Sequence, residues 1–150
     1  MSGRPHHTST RVPERAAQDI ISRSEVALVF IGGAVGVGAR ASLLTIPTGH
    51  MDWMILVINV SGAFLLGALT RATSPGSAAR VRKARFLLGS GLLGGYTTYS
   101  TLAVATSTLL THGQITTAIA FAGVTVIFGL MAAWAGTAIG AYFAAGRRRR

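Results

Sequence analysis

The chain reads as an all-α integral membrane protein of four transmembrane helices, the third of them interrupted. Three observations predict this. Half of the 150 residues are apolar and only 12% are charged, roughly half the charge of a typical soluble domain. The apolar residues gather into four runs, 26–46, 53–70, 86–111 and 115–145, each near or above the roughly 20 residues that carry a helix across hydrocarbon. Within the third run, Gly89, Gly91, Gly94 and Gly95 lead straight into Tyr96, Thr97, Thr98, Tyr99, Ser100 and Thr101. So much polarity at membrane depth suits either a tight helix contact with back-bonded hydroxyls or a helix that opens to line a site for an ion or small solute.

The first 25 residues, with His6, His7, Pro5, Pro13 and scattered arginines, are too polar to pack and predict a mobile basic tail. No small-residue cleavage pattern follows the first apolar run, so no cleavable signal peptide is expected. Residues 26–146 form one four-helix membrane domain, and 147–150 a basic C-terminal anchor with a possible role against lipid headgroups. In the first span Gly32 and Gly36 make a face for close helix approach. Arg40, the one charge inside any span, either snorkels to the far interface or supplies a fixed positive charge at a vestibule.

The second span contains one carboxamide, Asn59, in an otherwise greasy stretch. Its amide suits an anion or a bridge between helices. In the third span the ring edges of Tyr96 and Tyr99 carry partial positive charge and can face a small anion. In the fourth, Gly136 and Gly140 make another close-approach pair, and Thr125 is the residue that extends a polar track.

The net charge of +10 does not point to nucleic acid. Thirteen of the fourteen basic residues lie in three patches: Arg4, Arg11, Arg15 and Arg23; Arg71, Arg80, Arg82, Lys83 and Arg85; and Arg147 to Arg150. With four spans these patches share one side, and the positive-inside rule places both termini in the cytoplasm. The chain has no cysteine, which excludes disulfides and thiolate chemistry. Its four acids, Glu14, Asp19, Glu25 and Asp52, fall outside the spans. No carboxylate pair or histidine cluster is present for catalysis, so no enzyme is expected. A small proton-coupled multidrug transporter needs a titratable carboxylate in the membrane, and no span has one.

Three motifs bring these residues together. Gly32–Gly33–x–x–Gly36–x–x–x–Arg40, Asn59–x–x–Gly62–x–Phe64–x–x–Gly67 and Gly94–Gly95–x–Thr97–Thr98–Tyr99–Ser100–Thr101 resemble the Fluc (CrcB-type) fluoride channels across all four spans. The resemblance implies passive, fluoride-specific export across the bacterial plasma membrane by an antiparallel dimer with two pores. It implies a structural sodium ion, not transported, on the backbone carbonyls of Gly94 and Thr97. It implies an anion path along Asn59, Tyr99, Ser100, Thr101 and Thr125, with Arg40 at the vestibule.

Two departures follow. Where the family carries two phenylalanines facing the ion path, this chain has Tyr99 and Leu102, which leaves a non-conducting structural subunit as an alternative. The one-sided arginines also oppose dual insertion. The resemblance then implies a paired-gene member whose partner is a homologous chain of opposite topology.

Overall fold

A computed structural model describes residues 21–47, 53–73 and 78–148, with Arg147 and Arg148 in backbone only. The expected tail up to residue 20, most of the connection 47–52 and the last two arginines lie outside the described residues. Every regular element among the described residues is helical. In chain order they are α1 (Arg23–Leu44), α2 (Trp53–Thr73), α3 (Ala79–Ala84), a π-helical segment (Arg85–Leu93), α4 (Gly94–Tyr96), α5 (Ser100–Thr111) and α6 (Ile115–Arg148). Three of them, α1, α2 and α6, are long and apolar enough to cross a membrane. The remaining crossing is a bent composite running from α3 through the π-helical segment and α4 to α5. The middle connection is shorter than the expected 71–85, because α2 continues to Thr73 and α3 begins at Ala79.

Local chemistry sets the helix ends. Ser22 and Glu25 form a reciprocal capping box, with Ser22 Oγ accepting from the Glu25 N–H at 3.3 Å and Glu25 Oε2 accepting from the Ser22 N–H at 2.8 Å. Two otherwise orphaned N–H groups are satisfied at once. The last three residues of the expected tail are therefore the first turn of α1. Glu25 is only 1% exposed and its Oε1 meets Arg82 Nε at 2.7 Å, tying the start of α1 to α3. At the other end of the bundle Gly113 adopts a φ of +74°. Its N–H donates to Leu110 O, and that of Gln114 to Leu109 O, a Schellman closure that needs a residue without a Cβ. This turn sends the chain from α5 directly into α6.

The helices are held by backbone proximity more than by a hydrophobic core. The buried apolar residues are few, with Ile55, Leu102 and Phe121 forming one small cluster beneath Leu44, Ala105 and Leu109. Lipid tails are as apolar as leucine, so membrane helices associate through close packing instead. Two glycine seams provide it. On α1, a Cβ at Gly32 would strike Leu87 O and one at Gly36 would strike Leu92 O, while Gly95 lies against Gly33 O. Between α2 and α6, Gly67 abuts Ala133 O, Gly136 abuts Phe64 O and Gly140 abuts Ala68 O. Large apolar side chains such as Phe30, Leu130 and Trp134 point outward, as suits a lipid or partner surface.

Gly36→Ala should separate α1 from the broken helix, because its Cβ would also lie 2.8 Å from the Tyr96 nitrogen. We expect a loss of about 1–3 kcal/mol, the cost of overpacking, read from unfolding in detergent. Gly38 has nothing within 4 Å of a built Cβ. Gly38→Ala should be neutral or stabilising by up to about 1 kcal/mol, since alanine is the better helix former; an equal loss at both positions would refute the seam.

Candidate functional site: the break in the third crossing

The π-helical segment precedes the break. The N–H of Gly94 reaches back five residues to Gly89 O, a wider turn than the α-helix allows and one found often at functional positions. Helix α4 then lasts three residues. Thr97 swings to an extended backbone, with φ −73° and ψ 155°, and α5 restarts at Ser100. Thr97 still closes an α-turn through its N–H to Leu93 O at 3.0 Å, and its Oγ1 donates to the same oxygen. Thr98 does not, since the extended residue before it turns its N–H away from Gly94.

Asn59 on α2 takes over at this point. The Thr98 N–H donates to Asn59 Oδ1 at 2.9 Å, and Asn59 Nδ2 donates to Thr98 O at 2.9 Å. One side-chain amide thus bonds both backbone polar groups of Thr98, which belong to the two peptide groups flanking its Cα. Of the two roles open to this carboxamide, the bridge between helices is the one formed within the chain. One N–H and one carbonyl lone pair of Asn59 remain over. Three residues on, Gly62 leaves room for the methyl group of Thr97, and Ser61 Oγ lies 3.1 Å from Tyr96 Oη.

The opposite side of the break is held by α1. Arg40 is half-buried, and its Nη1 donates to Thr97 O at 3.1 Å. The peptide group between Thr97 and Thr98 is therefore held from two different helices, its carbonyl by Arg40 of α1 and its N–H by Asn59 of α2. The one carboxylate among the described residues, Glu25, is committed to Arg82, so Arg40 has no acidic neutraliser there. Together with the first N–H groups of α5, it makes the break locally positive.

The sequence placed Thr98 only inside a motif, and the structure gives it a larger part. It is buried, its Oγ1 accepts from the Thr101 N–H at 3.1 Å and it donates to Thr101 Oγ1 at 2.9 Å. Thr98, two residues ahead of Ser100, thus satisfies a first-turn N–H of α5 as a capping side chain does. Ser100 joins the cluster, its Oγ lying 3.2 Å from Thr98 Oγ1.

Arg40, Asn59, Thr97, Ser100 and Thr101 thus meet at the break, with Gly94 one turn before it. Tyr99 belongs to the same segment but stands 83% exposed on the outside. Thr125 is buried in α6, where its hydroxyl donates to Phe121 O at 2.8 Å and makes no hydrogen bond to the break. Leu102 lies on the inner side of α5. It is packed into the core with Ile55 and Phe121, because α5 turns this position inward. A groove of about 610 Å³ between α2 and α6, lined by Leu65, Leu69, Ile139 and Tyr142, lies apart from all of these groups.

A sodium site can be tested on the acceptors at the break. Gly94 O is left without a backbone donor, since Thr98 N–H is on Asn59. Thr97 O accepts from Arg40 and keeps a second lone pair. The donor set fits a hard alkali cation, although the guanidinium weakens Thr97 O for that purpose. Two carbonyls are also too few to replace a hydration shell by themselves.

A polytopic membrane protein whose broken helix presents both carbonyl acceptors and amide donors at membrane depth has the make-up of a small ion-handling channel or carrier. Comparison with known proteins narrows that class. The family model described as "CrcB-like protein, Camphor Resistance (CrcB)" matches residues 27–137, and the chain belongs to this family. It is 44% identical over 118 residues to the "Fluoride-specific ion channel FluC 2" of Leifsonia xyli subsp. xyli, covering 76% of this chain and 81% of that protein. It is 43% identical over 114 residues to "Fluoride-specific ion channel FluC 1" of Mycobacterium bovis, covering 72% and 83%. To "Fluoride-specific ion channel FluC" of Thermus thermophilus it is 34% identical over 117 residues, covering 75% and 92%.

Replacing Thr98 by Val removes the α5 cap while keeping the shape. Thr98→Val should cost about 0.5–2 kcal/mol in detergent unfolding, and Thr98→Ser should retain most of that stability. Equal losses for the two variants would count against the capping role.

Proposed function

We propose that this chain is a subunit of a fluoride-specific ion channel that lets fluoride leave the cytoplasm passively. The carrying observation is the break itself. Its donors converge at membrane depth, around the one charge within a span, Arg40. Fluoride must exchange its hydration shell for protein donors to cross. Candidates are the remaining N–H of Asn59, the hydroxyls of Ser100 and Thr101, and the ring edge of Tyr99 in a partner-lined path. Thr125 extends that path only if its hydroxyl leaves Phe121 O. The names of the relatives support the ion.

The break also argues for a partner. Gly94, Tyr99 and Ser100 lie open on the surface of the single chain, and irregular backbone is not tolerated facing lipid. A second subunit pairing break to break would cover them. It would also bring two further carbonyls to the sodium ion held by Gly94 and Thr97, which binds structurally and supplies positive charge at the contact. The one-sided arginines favour cytoplasmic termini, so an antiparallel partner is a homologous chain of opposite bias. Numbered relatives, "FluC 1" and "FluC 2", are in keeping with paired subunits. A second reading is favoured by Leu102. With that position buried in the core, this chain serves as the structural half of a heteromer whose open pore is built on the partner's rings.

Fluoride efflux from liposomes separates these readings. The chain alone should give little flux, and co-reconstitution with an oppositely biased homologue should restore it. Single cysteines at both termini should be labelled only from the cytoplasmic side. Labelling from both sides, or full efflux by the chain alone, overturns the heteromer. In the active pair, Tyr99→Phe should conduct and Tyr99→Ala should lose about tenfold, the rate equivalent of an aromatic edge contact of about 1–1.5 kcal/mol. Unchanged efflux in Tyr99→Ala assigns conduction to the partner's pore.

A further inference from the structure

An α-helix normally spends each carbonyl on the N–H four residues ahead. For Gly94 that donor is Thr98, and the Thr98 N–H is bonded to Asn59 Oδ1. Asn59 at the same time occupies Thr98 O through Nδ2. The two bonds together hold the backbone N–H and carbonyl of Thr98 out of the helical ladder and keep Thr97 extended. Were the carboxamide removed, the buried N–H would need another acceptor, since leaving it unpaired costs too much away from water. The nearest acceptor in helical register is Gly94 O. Rotation of Thr97 from ψ 155° to a helical value would then carry α4 onward and consume that oxygen.

We propose that Asn59 is a positioning residue for the cation site: by pairing with the backbone N–H and carbonyl of Thr98 it keeps the Gly94 carbonyl free to bind sodium. This rests on the sodium reading above. It adds a role that is distinct from contact with the anion, and that acts through Thr98 on an oxygen Asn59 does not touch. It also gives Asn59, Thr97 and Gly62 one common task. Gly62 admits Thr97 in its extended conformation, and Asn59, one turn away on the same face of α2, prevents its return to helix.

The chain offers a direct view of that oxygen. It contains two Gly–Gly pairs, Gly32–Gly33 and Gly94–Gly95. Full-length protein carrying ¹³C-carbonyl and ¹⁵N glycine, assembled with its partner, therefore gives two carbonyl–nitrogen correlations, with Gly32 as internal reference. Sodium is titrated at constant ionic strength against a large organic cation. In the wild type the Gly94 carbonyl resonance should move with sodium while that of Gly32 stays, and the thermal midpoint should rise in parallel. In Asn59→Ala the sodium concentration at half-effect should increase by at least about tenfold. Asn59→Asp, which keeps an acceptor for the Thr98 N–H, should retain the response even with flux lost. A purely structural role would lower the thermal midpoint equally with and without sodium and leave the Gly94 shift intact; that result overturns the proposal. If the wild type itself shows no Gly94 response, the sodium reading fails and the proposal with it. Should Asn59→Ala not fold, loss of the response in Asn59→Asp overturns it instead.

Discussion

The architecture turns on a requirement of the bilayer: an opened backbone must find partners inside the protein. In water the carbonyls and amides freed at Thr97 to Ser100 would be hydrated at little cost. In hydrocarbon each unsatisfied group costs several kcal/mol. The chain meets the demand with two polar side chains drawn from two different helices, Arg40 onto Thr97 O and Asn59 onto both polar atoms of Thr98. A third group, Thr98 Oγ1, caps the restarted helix. A broken helix is thereby made a fixed element, and the chemistry available at membrane depth is what remains after these bonds are made.

Both glycine seams serve that arrangement. Arg40 and Asn59 reach the break only because α1 and α2 approach it closely, and the approach depends on positions without a Cβ. Gly36 meets the backbone at Leu92 and Tyr96, and Gly62 meets Thr97. Gly67, Gly136 and Gly140 do the same for α2 and α6, which gives α2 a rigid support from behind. Few apolar side chains are buried among the described residues, so close backbone approach along these seams is the packing that stands out. Glu25 and its pair with Arg82 add a polar link at the arginine-bearing end, where α1 and α3 begin.

Membership of the CrcB-like family and the break's composition point the same way. The break offers carbonyl oxygens before the interruption and amide and hydroxyl donors after it, so a cation and an anion can be served by adjacent turns without a mobile charged side chain. Arg40 supplies the one fixed charge, and it is held by a hydrogen bond to the backbone. On the proposed path, an anion would meet a positive potential without a cationic side chain free to trap it. That balance between attraction and release is what rapid passage requires.

Much of this was legible in the residues alone. Span number, the interruption of the third crossing and the grouping of arginines follow from composition and one-dimensional pattern, because hydrophobic length and charge are local properties. The small-residue seams were visible as spacings. What the sequence left open was which partner each polar residue takes. Asn59 suited a neighbouring helix or an anion, and Arg40 an interface or a vestibule. Their targets are backbone atoms 39 and 57 residues away, and a backbone atom carries no sequence signature. The π-helical turn before Gly94 and the inward orientation of Leu102 were hidden for the same reason: each depends on how far one helix is rotated against its neighbours, which the packed bundle decides.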